Sequence, residues 1–166
     1  VADAETFIPP PQTPLAFVTQ TTLSVDDTAE IIAVLRDRFP DIAAPHKEDI
    51  CYATTNRQAA VKKIAPQVGC MLVIGAANSS NSQRLVDVAR RAGAPYADLI
   101  EGPEQITWSH IKSAEKIGLT AGASAPEEMV TAVIAALQGQ FSLDIVEAGG
   151  GPENVHFKLP RQLRGD

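Results

Sequence analysis

The chain has 166 residues, of which 45% are apolar, and its 20 acidic and 14 basic side chains give a formal net charge of −6. This composition is ordinary for a soluble, core-forming protein with one domain, or one and a half. The absence of a long basic run argues against nucleic acid or an anionic membrane as the main partner, because either would need a clustered positive surface. A small-molecule partner is favoured instead.

The cysteine count and hydropathy indicate the compartment. Cys51 and Cys70 are too few for a disulfide framework, and no apolar run is long enough for a bilayer span or a signal peptide. We therefore expect a reducing, cytoplasmic setting.

The chain starts at Val1 and soon enters a proline-rich segment, residues 9–14, which we interpret as a joint inside a longer protein.

The first predicted unit is a strand followed by a helix. The strand is expected at residues 15–19, and the helix begins after Ser24, which can form a capping arrangement with Asp27, and ends at Pro40. A polar connection at residues 41–49 follows. We place the boundary between two lobes there, which divides the chain into residues 1–48 and 49–166.

Apolar strands and amphipathic helices then alternate to the end of the chain. We predict helices at residues 56–65, 81–92, around Trp108 and from Pro126 onward, and strands at residues 70–75, 97–99, 116–120, 143–147 and 155–159. This alternation predicts an α/β fold in which parallel sheets are flanked by helices.

The turns after the predicted strands are the candidate binding region. Ligands of such sheets bind beyond the carboxyl ends of the strands, where helix N-termini converge. Here those turns are rich in small hydroxyl and amide side chains: residues 20–22, 51–54, 78–82 and 120–124. Free N–H groups and hydroxyls at helix starts attract phosphate without a lysine, so we predict an anion-binding cup. Helix capping alone is the alternative, but residues 78–82 offer five polar side chains where one is enough for a cap.

Cys51 is the most informative single residue. Thr54, Thr55 and Asn56 follow it and are predicted to cap a helix, so that the thiol would lie near a positive helix end, where thiolate is favoured. Three roles stay open from the residues alone: ligand of a metal or cluster, nucleophile, or inert small side chain. A zinc ion would need about four ligands, so any metal at Cys51 must draw ligands from elsewhere.

The other reactive side chains favour ordinary roles. A nucleophilic Cys51 would need a base, and the three histidines, His46, His110 and His156, have no evident link to it. Cys70 abuts an apolar strand and is predicted to be inert, and Trp108 is predicted to be a packing residue. The acidic pairs Asp26–Asp27, Glu127–Glu128 and Asp98–Glu101 could act as acid and base, although acids favoured by the helix dipole explain the first two at least as well.

Five segments together resemble the carboxy-terminal half of the 4-hydroxy-3-methylbut-2-enyl diphosphate reductase family, the LytB-type iron–sulfur enzymes of isoprenoid biosynthesis. The segments are residues 20–28, 49–58, 78–82, 120–126 and 154–160. The resemblance runs from about residue 15 to residue 164 and keeps the family's order of motifs. It covers about half of the family's length.

The resemblance implies a reaction and a set of site residues. The family removes the substrate hydroxyl reductively and yields isopentenyl and dimethylallyl diphosphate, with electrons that pass from ferredoxin or flavodoxin through a 4Fe–4S cluster. By matching positions, Cys51 would be the last of three cysteine ligands, and Thr21 would lie near the hydroxyl of the allylic diphosphate substrate. The residues implied to hold the diphosphate are Ser79, Ser80, Asn81 and Ser124.

The resemblance also implies a trefoil-like assembly of three α/β lobes. Residues 1–48 would end the middle lobe and residues 49–166 would form the carboxy-terminal lobe. The other two cluster cysteines, the histidines that contact the diphosphate and an acidic proton relay would belong to a missing amino-terminal half, so that this chain alone is expected to be inactive. The alternatives are a non-catalytic diphosphate-binding α/β module, in which Cys51 is a bystander, and a thiol-dependent transferase.

Overall fold

A three-stranded parallel sheet organises the second part of the chain in a computed structural model that describes residues 1–45 and 49–148. The strands are β1 (Cys70–Ile74), β2 (Tyr96–Ile100) and β3 (Ile117–Ala121). Strand β1 lies in the middle, with Cys70 opposite Tyr96 on one side and Ile117 on the other. All five residues of β1 are buried, as is typical of a parallel strand covered on both faces.

Helices precede, connect and follow these strands. They are α1 (Ala2–Thr6), α2 (Val25–Arg38), α3 (Tyr52–Ile64), α4 (Ser80–Arg91), α5 (Trp108–Lys112) and α6 (Glu127–Gln138). Short 3₁₀ helices lie at Ala65–Gln67 and Pro103–Gln105. The predicted α/β class is confirmed, and the strands predicted at residues 70–75, 97–99 and 116–120 are found within one residue of their expected bounds.

The two faces of the sheet carry separate apolar clusters. On one face, Met71 and Val73 pack with Val61 of α3 and with the apolar side of α4. On the other face, Leu72 and Ile74 pack with α5 and α6. The alternate side chains of β1 therefore fix which helices cover which face.

Residues 1–45 form no sheet. The prediction of a strand at residues 15–19 is wrong, because within this segment only Ala16 forms a bridge, with Ala43. Two hydrogen bonds support the bridge, from Phe17 N–H to Ala43 O (3.1 Å) and from Ala43 N–H to Leu15 O (2.9 Å). Val18 in this segment is 84% exposed. The predicted cap of α2 is confirmed, since the Ser24 hydroxyl accepts the N–H of Asp27 (3.2 Å).

Charged side chains join α2 to the helices that cover the sheet. Asp26 pairs with Lys62 of α3 at 2.6 Å, and Asp27 pairs with Arg84 and Arg91 of α4. These carboxylates are therefore engaged in ion pairs with α3 and α4. Such exposed pairs contribute little stability one by one.

Three further predictions differ from the structure. Residues 143–147 are irregular instead of forming a strand, and Leu143 packs on the cluster beside α6. Helix α3 begins at Tyr52, earlier than predicted, and Pro126 is the N-cap of α6 instead of its first residue. The strand predicted at residues 155–159 lies outside the described residues.

Within the described ranges, no helix has both the length and the apolar character needed to cross a bilayer.

The burial of the core predicts unequal effects of one substitution at two sites. Val133→Ala removes two methyl groups from a side chain with 0% exposure, and we expect a loss of about 1.5–3 kcal/mol in the free energy of unfolding. The matched control is Val18→Ala, at an 84% exposed position, which should change that free energy by less than about 0.5 kcal/mol. Urea unfolding measures both, and equal losses would contradict this description of the core.

Candidate functional site

Three helices begin at the edge of the sheet where the strands end, called here the carboxyl edge. Strand β1 leads into α4 and strand β3 leads into α6, so both helices start there. The C-terminal Ile64 of α3 lies near Gly118, close to the amino end of β3, where an added Cβ would approach it to 3.3 Å. Helix α3 therefore also has its N-terminus toward the carboxyl edge.

Cys51 is the N-cap of α3, and its side chain is exposed. Its carbonyl accepts the N–H groups of Thr54 (2.8 Å) and Thr55 (3.0 Å). The prediction that Thr54, Thr55 and Asn56 cap this helix is therefore wrong, because all three lie within it and Thr54 is buried. The structure nevertheless confirms that Cys51 lies at a helix start, where its thiol is accessible to a ligand.

Thr21 lies directly against the Cys51 segment. The N–H of Cys51 donates to the carbonyl of Thr21 at 3.2 Å, and Thr21 is exposed within a turn closed by a hydrogen bond from Leu23 N–H to Gln20 O (3.4 Å). Two candidate residues separated by 30 positions are thus brought together by a backbone contact.

Ser79 has the capping role that was the alternative to a binding site. It is the N-cap of α4, and its hydroxyl oxygen accepts both the N–H of Ser82 (3.3 Å) and the hydroxyl of Ser82 (3.0 Å). Ser80, the first residue of α4, is exposed. The oxygen of Ser79 is therefore in use within the protein, while Ser80 faces solvent.

Asn81 differs from its neighbours. It is only 6% exposed, and neither its Oδ1 nor its Nδ2 has a hydrogen-bond partner among the residues that the structure describes. An unsatisfied buried amide costs about 1–3 kcal/mol, so such groups call for a ligand or water. Helix capping does not account for Asn81, and this observation favours a binding site.

The turns after β1 and β3 touch each other beside Asn81. The N–H of Gly122 donates to the carbonyl of Ile74 at 2.8 Å. A Cβ at Gly122 would lie 2.2 Å from the Ser82 hydroxyl oxygen and 3.7 Å from Asn81 Nδ2, and one at Gly75 would lie 2.1 Å from the same hydroxyl oxygen. Both glycines are therefore needed for the two turns to meet at the start of α4.

Ser124 lines a small cleft at the same edge. The cleft measures about 170 Å³ and is also lined by Gly75, Ala76, Glu101 and Met129. The Glu101 carboxylate accepts the N–H of Ala77 at 2.8 Å and so fixes the turn that leads to α4. The sequence offered no local signal for this contact, because it joins residues 24 positions apart.

Other titratable side chains near the sheet are engaged elsewhere. His110 Nδ1 lies 2.9 Å from Asp98 Oδ2, and the His110 ring stacks on Tyr96 with 4.1 Å between centroids. Asp98 and Glu101 thus have separate partners, His110 and the N–H of Ala77. His46 and His156 lie outside the described residues. Trp108 packs against the cluster under α6, as predicted.

The described residues provide few ligands for a metal. No group of three or more His, Cys, Asp or Glu side chains within residues 1–45 and 49–148 is arranged to hold a metal ion. Cys70 is buried, and burial first, with the charge of Asp98 second, raises the pKa of its thiol to about 11. Among the described residues, Cys51 therefore offers one accessible soft ligand, and a metal or cluster bound there would need its remaining ligands from elsewhere.

Comparisons with known proteins agree with one another. Residues 1–138 match the family model described as LytB protein. A Rhodopseudomonas palustris protein named 4-hydroxy-3-methylbut-2-enyl diphosphate reductase 2 is 55% identical over 99% of this chain and 52% of its own length. A Hyphomonas neptunium reductase of the same name, without the numeral, is 57% identical over 99% of this chain and 52% of its own length.

The comparison with solved structures also finds a diphosphate reductase. The Plasmodium falciparum E-1-hydroxy-2-methyl-but-2-enyl-4-diphosphate reductase has a TM-score of 0.87 and 36% identity, over 97% of this chain and 51% of that one. The chain thus spans about half the length of the curated relatives it matches.

Different accessibility of the two thiols predicts selective alkylation. At pH 8, iodoacetamide should modify Cys51, which is exposed, and leave Cys70 unmodified, because Cys70 is 0% exposed and stays protonated well below pH 11. Mass spectrometry should find one modified thiol in the folded chain, none in Cys51→Ser and two in denaturant. Comparable modification of Cys70 in the folded chain would contradict the structure.

The amide of Asn81, which has no partner among the described residues, predicts a loss of anion binding when it is removed. Asn81→Ala should weaken the binding of inorganic diphosphate by about 1–3 kcal/mol, since a charged ligand loses one hydrogen bond. Isothermal titration calorimetry measures the affinity, and thermal unfolding shows that the variant is folded. The control is Asn56→Ala, an exposed position on α3, which should bind like the original chain. Unchanged affinity in Asn81→Ala would rule out a role for the amide.

Proposed function

The chain belongs to the LytB family, and from this premise we propose that it supplies the diphosphate-binding cup and one cluster ligand of a 4-hydroxy-3-methylbut-2-enyl diphosphate reductase. The observation that carries the proposal is the buried amide of Asn81, which has no partner among the described residues and lies at the sheet edge toward which α3, capped by the exposed Cys51, also begins. The names of the relatives supply the substrate class.

The proposed reaction is a reductive dehydroxylation. The C–O bond of the allylic alcohol breaks, a C–H bond forms, and two electrons and two protons are consumed as the hydroxyl leaves as water. The products are isopentenyl and dimethylallyl diphosphate, which differ in the carbon that receives the proton. The electrons come from outside the chain, and ferredoxin or flavodoxin as their source stays a prediction, as does the cytoplasmic setting.

The proposed role of the cup is to hold the diphosphate end of the substrate. Asn81 would donate through Nδ2, while Ser79, Ser80 and Ser124 would donate through their hydroxyl groups. The N-terminus of α4 adds free N–H groups and the positive end of a helix dipole. Binding by neutral donors is compatible with the chain's net charge of −6.

The proposed role of the Cys51 segment is to place the other end of the substrate. Cys51 would ligate a 4Fe–4S cluster, which when bound supplies a Lewis-acidic iron and a path for electrons. Thr21, whose carbonyl is held by the N–H of Cys51, would present its hydroxyl to the substrate hydroxyl or to a water beside it. The other cluster ligands would come from the half of the relatives that this chain does not span.

We also propose that residues 1–48 and 49–166 belong to different lobes of the larger protein. The segment at residues 15–19 is separate from the three-stranded sheet and pairs, within the described residues, only through the bridge between Ala16 and Ala43. Its exposed Val18 is consistent with a strand completed by another part of the protein.

The alternative function is a diphosphate-binding module without catalysis. One observation favours it: the parts of the cup, Ser79 to Ser82, Gly122 and Ser124, are all present in the described residues, whereas Cys51 is a single ligand there. The two functions differ in their need for iron.

Iron analysis of the full-length protein that contains this chain separates the two functions. We expect an iron–sulfur cluster and reductase activity that Cys51→Ala abolishes, because the cluster loses a ligand. Cys70→Ala is the control and should keep its iron, since Cys70 is buried in the central strand β1. Diphosphate binding with no iron in any preparation would establish the module, and a cluster that survives Cys51→Ala would remove Cys51 from its ligands.

A further inference from the structure

A buried glutamine on α3 holds the turn that carries Thr21. Gln58 is only 1% exposed, although its side chain is polar and needs hydrogen-bond partners inside the protein. Its Nε2 donates to the carbonyl of Leu23 at 2.8 Å, and its Oε1 accepts the N–H of Val25 at 3.1 Å. One side chain thus binds both sides of the junction at which the Thr21 turn passes into α2.

The opposite end of the same turn is held by the segment that precedes α3. Asp49 Oδ2 accepts the N–H of Thr19 at 2.8 Å and the Thr19 hydroxyl at 3.3 Å. Between these two anchors, the N–H of Cys51 donates to the carbonyl of Thr21. Residues 49–58 therefore form hydrogen bonds with the start, the middle and the end of the turn at residues 19–25.

This arrangement fixes the distance between Thr21 and Cys51. Thr21 itself is exposed, and its carbonyl accepts a neutral hydrogen bond from the N–H of Cys51. The two hydrogen bonds of Gln58 are part-buried, and because the Gln58 side chain is only 1% exposed, its amide would lack partners if they broke, which is costly. Gln58 thus holds the end of the turn from inside the protein.

We propose that Gln58 is a positioning residue, which sets the placement of the Thr21 hydroxyl relative to Cys51. This inference rests on the function proposed above for Thr21 and Cys51. Gln58 touches no substrate and acts through the turn. A displacement of about 1 Å in a reacting group can cost about a hundredfold in rate, so the loss of this anchor should appear in kcat.

The test compares variants of the full-length protein that contains this chain. Gln58→Leu keeps the size of the side chain and removes both hydrogen bonds. We expect kcat with 4-hydroxy-3-methylbut-2-enyl diphosphate to fall at least about tenfold, with KM within about threefold and iron per chain unchanged. The matched control is Gln67→Leu, since Gln67 is exposed just beyond α3 and its side chain donates to the nearby Lys63 carbonyl (2.7 Å), far from the Thr21 turn in sequence; kcat should not change in this variant.

A double-mutant cycle separates positioning from general destabilisation. If Gln58 acts through Thr21, Gln58→Leu should change kcat by less than about twofold in a Thr21→Ala background. A loss as large there as in the original protein overturns the proposal, as does an unchanged kcat in Gln58→Leu alone. Should Gln58→Leu fail to fold, Gln58→Glu serves the same cycle, because it keeps an acceptor for Val25 N–H and loses the donor to Leu23 O.

Amide hydrogen exchange tests the anchor independently of activity. The N–H of Val25 should exchange at least about tenfold faster in Gln58→Leu, while the amides of β1 keep their original rates. Unchanged exchange at Val25 overturns the proposal. If the original protein showed no reductase activity, the proposed function would fail, and Val25 exchange would still decide whether Gln58 holds the turn.

Discussion

The complete burial of β1 is the constraint on which the rest of the structure depends. Its five residues face helices on both sides of the sheet, and parallel neighbours pair with it on both edges. Parallel strands that pair in register end at the same edge, so the turns after β1 and β3 are forced together. Gly75 and Gly122 let them meet without a side chain between them. The site is thus a consequence of how the core is packed.

Polar groups at this edge fall into two kinds, and the difference separates capping from binding. Ser79 and Ser82 satisfy each other and close the start of α4. Asn81 is also buried, at 6% exposure, but finds no partner within the described part of the chain. The free-energy cost of burying such an amide is offset only when a ligand or water forms hydrogen bonds with it. For that reason Asn81 carries more of the argument than the number of hydroxyl groups around it.

The Cys51 segment shows how tertiary contacts override local preference. Threonine and asparagine are better caps than cysteine, yet α3 starts at Cys51 and encloses them. The chain is held in this path by bonds to residues some 30 positions upstream: Cys51 with Thr21, Asp49 with Thr19, and Gln58 with Leu23 and Val25. The same bonds couple the two parts of the chain, together with the ion pairs of Asp26 and Asp27.

The sequence by itself determined the α/β class, the three strands of the sheet and the cap at Ser24, because apolar runs and capping side chains act over a few neighbouring residues. It also singled out Cys51, Thr21 and Asn81 as candidates. Only the tertiary structure decided that residues 15–19 and 143–147 do not join the sheet, since a strand needs a partner that its own sequence does not specify. Likewise, packing between distant segments leaves Asn81 without a partner among the described residues and places Gln58 against the turn that carries Thr21, and no local sequence pattern records either contact.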